Sequence, residues 1–294
     1  MRNTFVNTLE EMRSHDDRIK LLVGDLGFSV IEAFQEKFPK SFYNIGVAEQ
    51  NMIGIAAGMA SEGLTPFCYS IANFPIFRPA EFIRNLVDYH SLNVSIVSVG
   101  GGMAYGNLGY THHAVQDFSF VNSLMNFTTI APADPSQVRL LLNFAHNNIT
   151  SPKYYRLNRN NEKWLEWIEN RQHTLPFYSN VTIKTEHRSA IITTGSAGMF
   201  VERFLSASTK RGLFPELHLN LPIWGKKYLK EIIEILSLYD EIVVFEDHIK
   251  SGGFGNFLKD LGVTCNIRNL SLIESYVGEV GTQEYFMEKY IEDL

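Results

Sequence analysis

One carboxylate stands alone in a run of small residues. The segment Asn44–Ala60, NIGVAEQNMIGIAAGMA, holds Glu49 as the only charge between Lys40 and Glu62. Around it lie Gly46, Ala48, Gly54, Ala56, Ala57, Gly58 and Ala60. Small side chains let a helix approach its neighbour closely, so Glu49 is placed to be buried. Burial disfavours the charged form of a carboxylate, which suits it to hold or exchange a proton. The plain alternative is a glutamate in a first helical turn, favoured by the helix dipole.

Four further clusters carry chemistry-bearing residues. Phe67–Arg78, FCYSIANFPIFR, is aromatic-rich, and Phe74 and Phe77 are three apart on one helical face. Such a pair can stack on a flat heterocycle or simply fill a core. Gly100–Asp117, GGGMAYGNLGYTHHAVQD, is a glycine-rich loop that turns tightly or admits a ligand, followed by His112 and His113 at the expected start of a helix. A histidine there can act as an acid or base, or sit on the surface. It contains no GxxxxGK[ST] phosphate loop. Tyr154–Asn161, YYRLNRNN, sets Arg156 and Arg159 at a strand end, where an arginine clamps a phosphate or carboxylate, or pairs with an acid. Phe245–Gly255, FEDHIKSGGFG, reads as a plain strand-to-helix turn with no catalytic role for Glu246, Asp247 or His248.

The elements that must position these clusters alternate. Short apolar runs such as Arg18–Val23, Thr65–Ser70, Val94–Val99, Thr128–Ala131 and Lys153–Arg156 are separated by helical periods, the signature of a parallel sheet covered on both faces. A polar stretch from Asn158 to Asn180 interrupts the pattern, which resumes from Ser189 to Leu270. The expected fold class is α/β: two consecutive domains, each a mostly parallel sheet flanked by helices. The expected spans are 1–160, a connection over 161–185, and 186–294. Ligands then belong beyond the carboxyl ends of the strands, on the loops after Val23, Ser70, Val99 and Arg156.

Composition narrows the function. The 294 residues are 45% hydrophobic, enough for substantial cores, with a formal net charge of −6. That balance argues against a nucleic-acid partner. The two cysteines, Cys68 and Cys265, make no metal spacing or disulfide framework. The start MRNTFVNTLEEMRSHDD reads as an amphipathic segment rather than a signal peptide, and no apolar run approaches a membrane span. A soluble, cytoplasmic protein without membrane contact is expected.

The motifs, in this order, resemble the C-terminal half of transketolases and of 1-deoxyxylulose-5-phosphate synthases. GVAEQNMIGIAAG (Gly46–Gly58) is the most specific piece, supported by PADPSQVR (Pro132–Arg139) and FEDHIKSGGFG. The resemblance implies a pyrimidine-binding domain over 1–160 and the family's C-terminal domain over 186–294. It implies thiamine diphosphate as cofactor, with Glu49 as the catalytic glutamate at the pyrimidine N1′. The proton shared there favours the imino tautomer that activates thiazolium C2. It places Phe74 and Phe77 against the pyrimidine, and Asp25 and Ser29 of VGDLGFS near cofactor and substrate. His112 matches a substrate-touching histidine of a T-H-Q turn, and Arg159 and Arg2 match arginines that bind a substrate phosphate.

The departures are as informative. Leu108 stands where the family carries an aspartate that reads a donor hydroxyl, and Gly100 where a histidine is expected. An apolar residue cannot select a hydroxyl as a bonded carboxylate does. An atypical ketose, or a less hydroxylated donor such as pyruvate, is therefore expected. The diphosphate-binding Gly-Asp-Gly motif is absent, because Gly24-Asp25-Leu26 is at the wrong place. No metal ligand is assigned to this chain, and Mg²⁺ is expected to be held by a separate N-terminal-half subunit, most simply in an α2β2 assembly. Transfer of a two-carbon ketol unit between sugars or sugar phosphates is the leading expectation. Acyl transfer or decarboxylation from a 2-oxo acid, and a non-catalytic regulatory subunit, are the alternatives.

Overall fold

The computed structural model describes every residue except 28, 160–164, 171–174, 208–213, 290 and 292–294. The chain opens with helix α1 (Arg2–His15), whose buried face is Phe5, Val6, Leu9 and Met12. The first sheet takes strands β1 (Ile19–Val23), β2 (Phe42–Asn44), β3 (Thr65–Ile71), β4 (Ser95–Val99), β5 (Thr128–Ile130) and β6 (Lys153–Leu157). The second takes β7 (Ile168–Asn170), β8 (Phe177–Ser179), β9 (Ser189–Thr193) and β10 (His218–Asn220). Next come β11 (Ile223–Trp224), β12 (Glu241–Ile249) and β13 (Asn266–Leu272), of which β11 leaves for the first sheet.

The sheet orders are β11-β5-β6-β4-β3-β1-β2 and β13-β12-β9-β10-β8-β7. Every pairing within the first sheet is parallel except β11 on β5, where Ile223 faces Ile130. The second is parallel from β13 to β10 and antiparallel at β8 and β7. Both are flanked by helices, as the alternation of the sequence predicts. Strands β7 and β8 lie within the polar stretch read as a connection, and they extend the second sheet.

Helices α2 (Glu32–Lys37), α3 (Glu49–Ser61) and α4 (Phe74–Phe77) follow β1, β2 and β3. A further turn, α5 (Ala80–Phe82), runs on into π-helix over Ile83–Asp88. Then come α6 (Asp117–Ser123) and α7 (Pro135–Asn148). Helix α7 starts where Asp134 accepts from the backbone N–H of Ser136 and Gln137, with Pro135 at the first helical position. Helices α8 (Val201–Ala207), α9 (Leu229–Leu236), α10 (Phe254–Lys259) and α11 (Gln283–Lys289) serve the second sheet.

Register sets the stage for chemistry. Ser70 of β3 lies beside Ser98 of β4, which lies beside Arg156 of β6, and Val23 of β1 lies beside Tyr69. The carboxyl ends of four parallel strands are thus level, and their loops share one edge of the sheet. Among the described residues no helix is long and apolar enough to cross a membrane.

Candidate active site

Glu49 is the first residue of α3 and is 2% exposed. The chain reaches it through a knot at the sheet edge. The Asn44 side chain accepts from the backbone N–H of Asp25 and Gly46 through Oδ1, and donates to Asp25 Oδ1. Gly46 then turns with φ of 76° and the helix begins. The small residues do what the sequence predicts: a Cβ on Gly54 would already meet the Phe82 ring at 3.4 Å.

Both carboxylate oxygens of Glu49 are held. Ser70 Oγ, at the end of β3, donates to Oε1 at 3.2 Å. Arg78 Nη1 donates to Oε2 at 2.7 Å. The Arg78 guanidinium also lies over Phe74, 4.0 Å from the ring centroid. His112 meets the same ring edge-on, with centroids 5.2 Å apart. Glu49, Phe74 and His112, far apart in sequence, are therefore one constellation linked through Arg78. Phe77 lies outside it, exposed on the rim.

The two adjacent histidines have separate fates. His112 ends a short 3₁₀ turn, Tyr110–His112, rather than opening a helix; α6 begins only at Asp117. Burial, and then the Arg78 charge, lower its pKa below the usual value. Its Nδ1 pairs with Thr111 Oγ1 at 3.0 Å. His113 is 1% exposed, packs on Tyr276 and Phe286, and meets the Gly106 carbonyl through Nε2. It is a core residue.

Beyond His112 sits Tyr105, its ring 6.1 Å away. The Arg159 guanidinium lies 4.5 Å from the Tyr105 centroid. Arg2 adds its positive charge to the surroundings of Tyr69 and Tyr105, and its buried Nε has no hydrogen-bond partner among the described residues. Arg2 and Arg159, 157 residues apart in sequence, thus both bring positive charge to the surroundings of Tyr105. Asp25 and Ser29 occupy the exposed loop after β1, both with positive φ (55° and 67°). The Ser29 N–H is held by Glu32 Oε1 at 2.6 Å.

The glycine-rich loop and Arg156 take the other of their possible readings. Arg156 is buried between Asp117 and Asp247 and is not a clamp for ligand. The glycines make room for it and its partners. A Cβ on Gly100 would lie 2.0 Å from the Tyr105 ring, on Gly101 2.6 Å from Arg156 Cγ, and on Gly102 2.2 Å from Asp247 Oδ2. The close approach is by the protein's own side chains. Likewise Phe245–Ile249 belongs to β12 rather than to a turn. Buried Glu246 accepts from the Phe254 N–H at 2.7 Å and from Asn269 at 2.8 Å, and burial pushes its pKa up to about 8.

Arg78 and Ser70 are the site residues that sequence reasoning missed. Arg78 had a signal, since it sits four residues after Phe74, the spacing of stacked side chains on a helix. Ser70 had none beyond its place at a strand end. Among the described residues, no group of three His, Cys, Asp or Glu is placed to hold a metal ion.

Residues 1–163 match the pyrimidine-binding domain of transketolase. The chain belongs to the transketolase family. A protein of Methanocaldococcus jannaschii described as a transketolase C-terminal section is 30% identical over 284 residues, covering 95% of this chain and 87% of that protein. A 6-deoxy-6-sulfo-D-fructose transketolase subunit of Clostridium sp. (strain MSTE9) is 30% identical over 301 residues, covering 99% and 89%. In fold, this transketolase-family chain is similar to a split-gene transketolase solved as an inactive β4 tetramer. That similarity has a TM-score of 0.78 at 23% identity, over 98% of this chain and 92% of that one.

Proposed function

We propose that the chain is one subunit of a split, thiamine diphosphate-dependent transferase that moves a two-carbon ketol unit between sugars or sugar phosphates. The observation that carries this reading is Glu49. It is an almost fully buried carboxylate, fixed at both oxygens, at the level edge of four parallel strands and joined through Arg78 to an aromatic ring. The donor set fits an aminopyrimidine, which needs a carboxylate at its ring nitrogen and an apolar face to lie on.

When bound, thiamine diphosphate supplies the electron sink that lets a ketose carbon–carbon bond break and re-form. This chain's residues would hold the pyrimidine end and the substrate. Glu49 holds a proton at the pyrimidine N1′, and Ser70 orients the carboxylate. Phe74 gives the ring its stacking face, with Phe77 on the rim. His112, its pKa lowered below the usual value, offers an imidazole nitrogen to a substrate hydroxyl. Arg2 and Arg159 give the mouth two positive charges suited to a substrate phosphate. Asp25 and Ser29 line the loop after β1 beside this edge.

Mg²⁺ and the diphosphate are assigned to a separate N-terminal-half subunit, in an α2β2 complex in the cytoplasm. The split relatives support a partner of this kind. A 2-oxo acid donor is the second reading, and one observation favours it. Leu108, 49% exposed, presents an apolar side chain on the loop that leads to His112. Assay of the co-purified pair with thiamine diphosphate, Mg²⁺ and a panel of ketose and 2-oxo acid donors separates the two. Ketose turnover supports ketol transfer, and turnover of pyruvate alone replaces it with the second reading.

A further inference from the structure

Arg78 occupies the place that a ring on Glu49 would need. Its Nη1 donates to Glu49 Oε2 at 2.7 Å while its guanidinium lies 4.0 Å from the Phe74 centroid. The other carboxylate oxygen faces Ser70, and Phe74 also meets His112 in a T-shaped contact, centroids 5.2 Å apart. A flat group that stacks on this face of Phe74 and also hydrogen-bonds Oε2 must therefore enter the volume of the guanidinium. The guanidinium is itself flat, delocalised and rich in N–H donors, so it presents the features of a protonated aminopyrimidine. The Arg78 side chain is 44% exposed and has solvent to swing into, whereas the Glu49 side chain, at 1%, has none.

We infer that Arg78 is a built-in surrogate for the cofactor's pyrimidine, which the incoming ring must displace, and that this exchange decides which rings the site accepts; the inference rests on the thiamine diphosphate reading above. Moving Arg78 away without replacement strands a buried carboxylate with half its partners gone. Only a ring that returns a proton or an N–H to Oε2 offsets that loss. A ring with a bare hydrocarbon edge does not. The exchange also lowers the apparent affinity of the site by the fraction of chains in which Arg78 is already turned out.

The test is calorimetric titration of thiamine diphosphate, with Mg²⁺ present, into the chain co-purified with its partner half. Wild type is compared with Arg78→Met and Arg78→Lys. Methionine keeps apolar cover over Phe74 without a donor, and lysine keeps the charge without the flat fork. If about a tenth of wild-type chains have Arg78 turned out, Arg78→Met binds about tenfold tighter, with Arg78→Lys in between. Equal or weaker binding by both variants overturns the surrogate role. No binding by wild type or either variant, with all three folded, overturns the cofactor reading itself and this inference with it.

Discussion

Arg156 ties the two sheets together through Asp247: its Nη1, on β6 of the first sheet, donates to Asp247 Oδ1, on β12 of the second, at 2.6 Å. Its Nε holds Asp117 Oδ2 at 2.8 Å, and its Nη2 reaches the Ala114 carbonyl. All three charged side chains are at most 1% exposed. Breaking a buried pair leaves a charge with no compensation, at a cost of about 3–5 kcal/mol. Arg156→Leu is expected to lose about that much stability in urea unfolding followed by circular dichroism. A loss below about 1 kcal/mol would remove the pair from its role as the joint between sheets.

His112 is expected to matter for turnover and not for folding. His112→Ala should lower kcat/KM of the co-purified complex by about 10²–10⁴-fold, the usual contribution of a positioned acid or base. Arg78 is one cause of its lowered pKa. With His112 as the titrating base, the acid limb of kcat/KM seen in wild type should disappear in His112→Ala. An acid limb that stays in place in His112→Ala would show that His112 is not the group titrating.

His218 predicts an acid weakness in the second sheet. It is buried on β10, paired with Thr193 Oγ1 at 2.9 Å, and burial pushes its pKa down to about 3. The unfolded chain protonates this histidine near pH 6.5, while the folded chain resists until about pH 3. Its stabilising contribution is therefore complete above pH 6.5 and falls with pH by roughly 1.4 kcal/mol per unit. His218→Gln should lose about 2 kcal/mol less than wild type between pH 7 and pH 5, read as the shift of the urea midpoint at each pH. Parallel losses in the two proteins would assign the acid sensitivity elsewhere.

The sheet architecture was legible because parallel strands buried on both faces leave unbroken apolar runs, as in Val94–Val99 and Glu241–Phe245. Short edge strands were not. Phe42–Asn44 and Ile168–Asn170 are exposed or half-buried three-residue pieces whose place is set by pairing rather than by pattern. Ile223–Trp224 crosses to the other sheet, a contact that no local periodicity records. In the site, the burial of Glu49 was legible from its place as the lone charge among small residues. The meaning of Gly101 and Gly102 was not, because the groups that crowd them, Arg156 and Asp247, arrive from 50 or more residues away. The same distance hid the burial of Arg156, which local sequence reads as a ligand clamp or, somewhat better, as a solvated or ion-paired arginine.

Thiamine diphosphate-dependent turnover by the co-purified complex, compared between wild type and Glu49→Gln, tests the role of Glu49 most directly. Glutamine keeps the size of the side chain and its place on α3 but cannot share a proton with N1′. The expected result is a fall in kcat of at least about 10²-fold, with the fold and the assembly intact. Undiminished turnover by Glu49→Gln would contradict it and leave the chain a non-catalytic subunit.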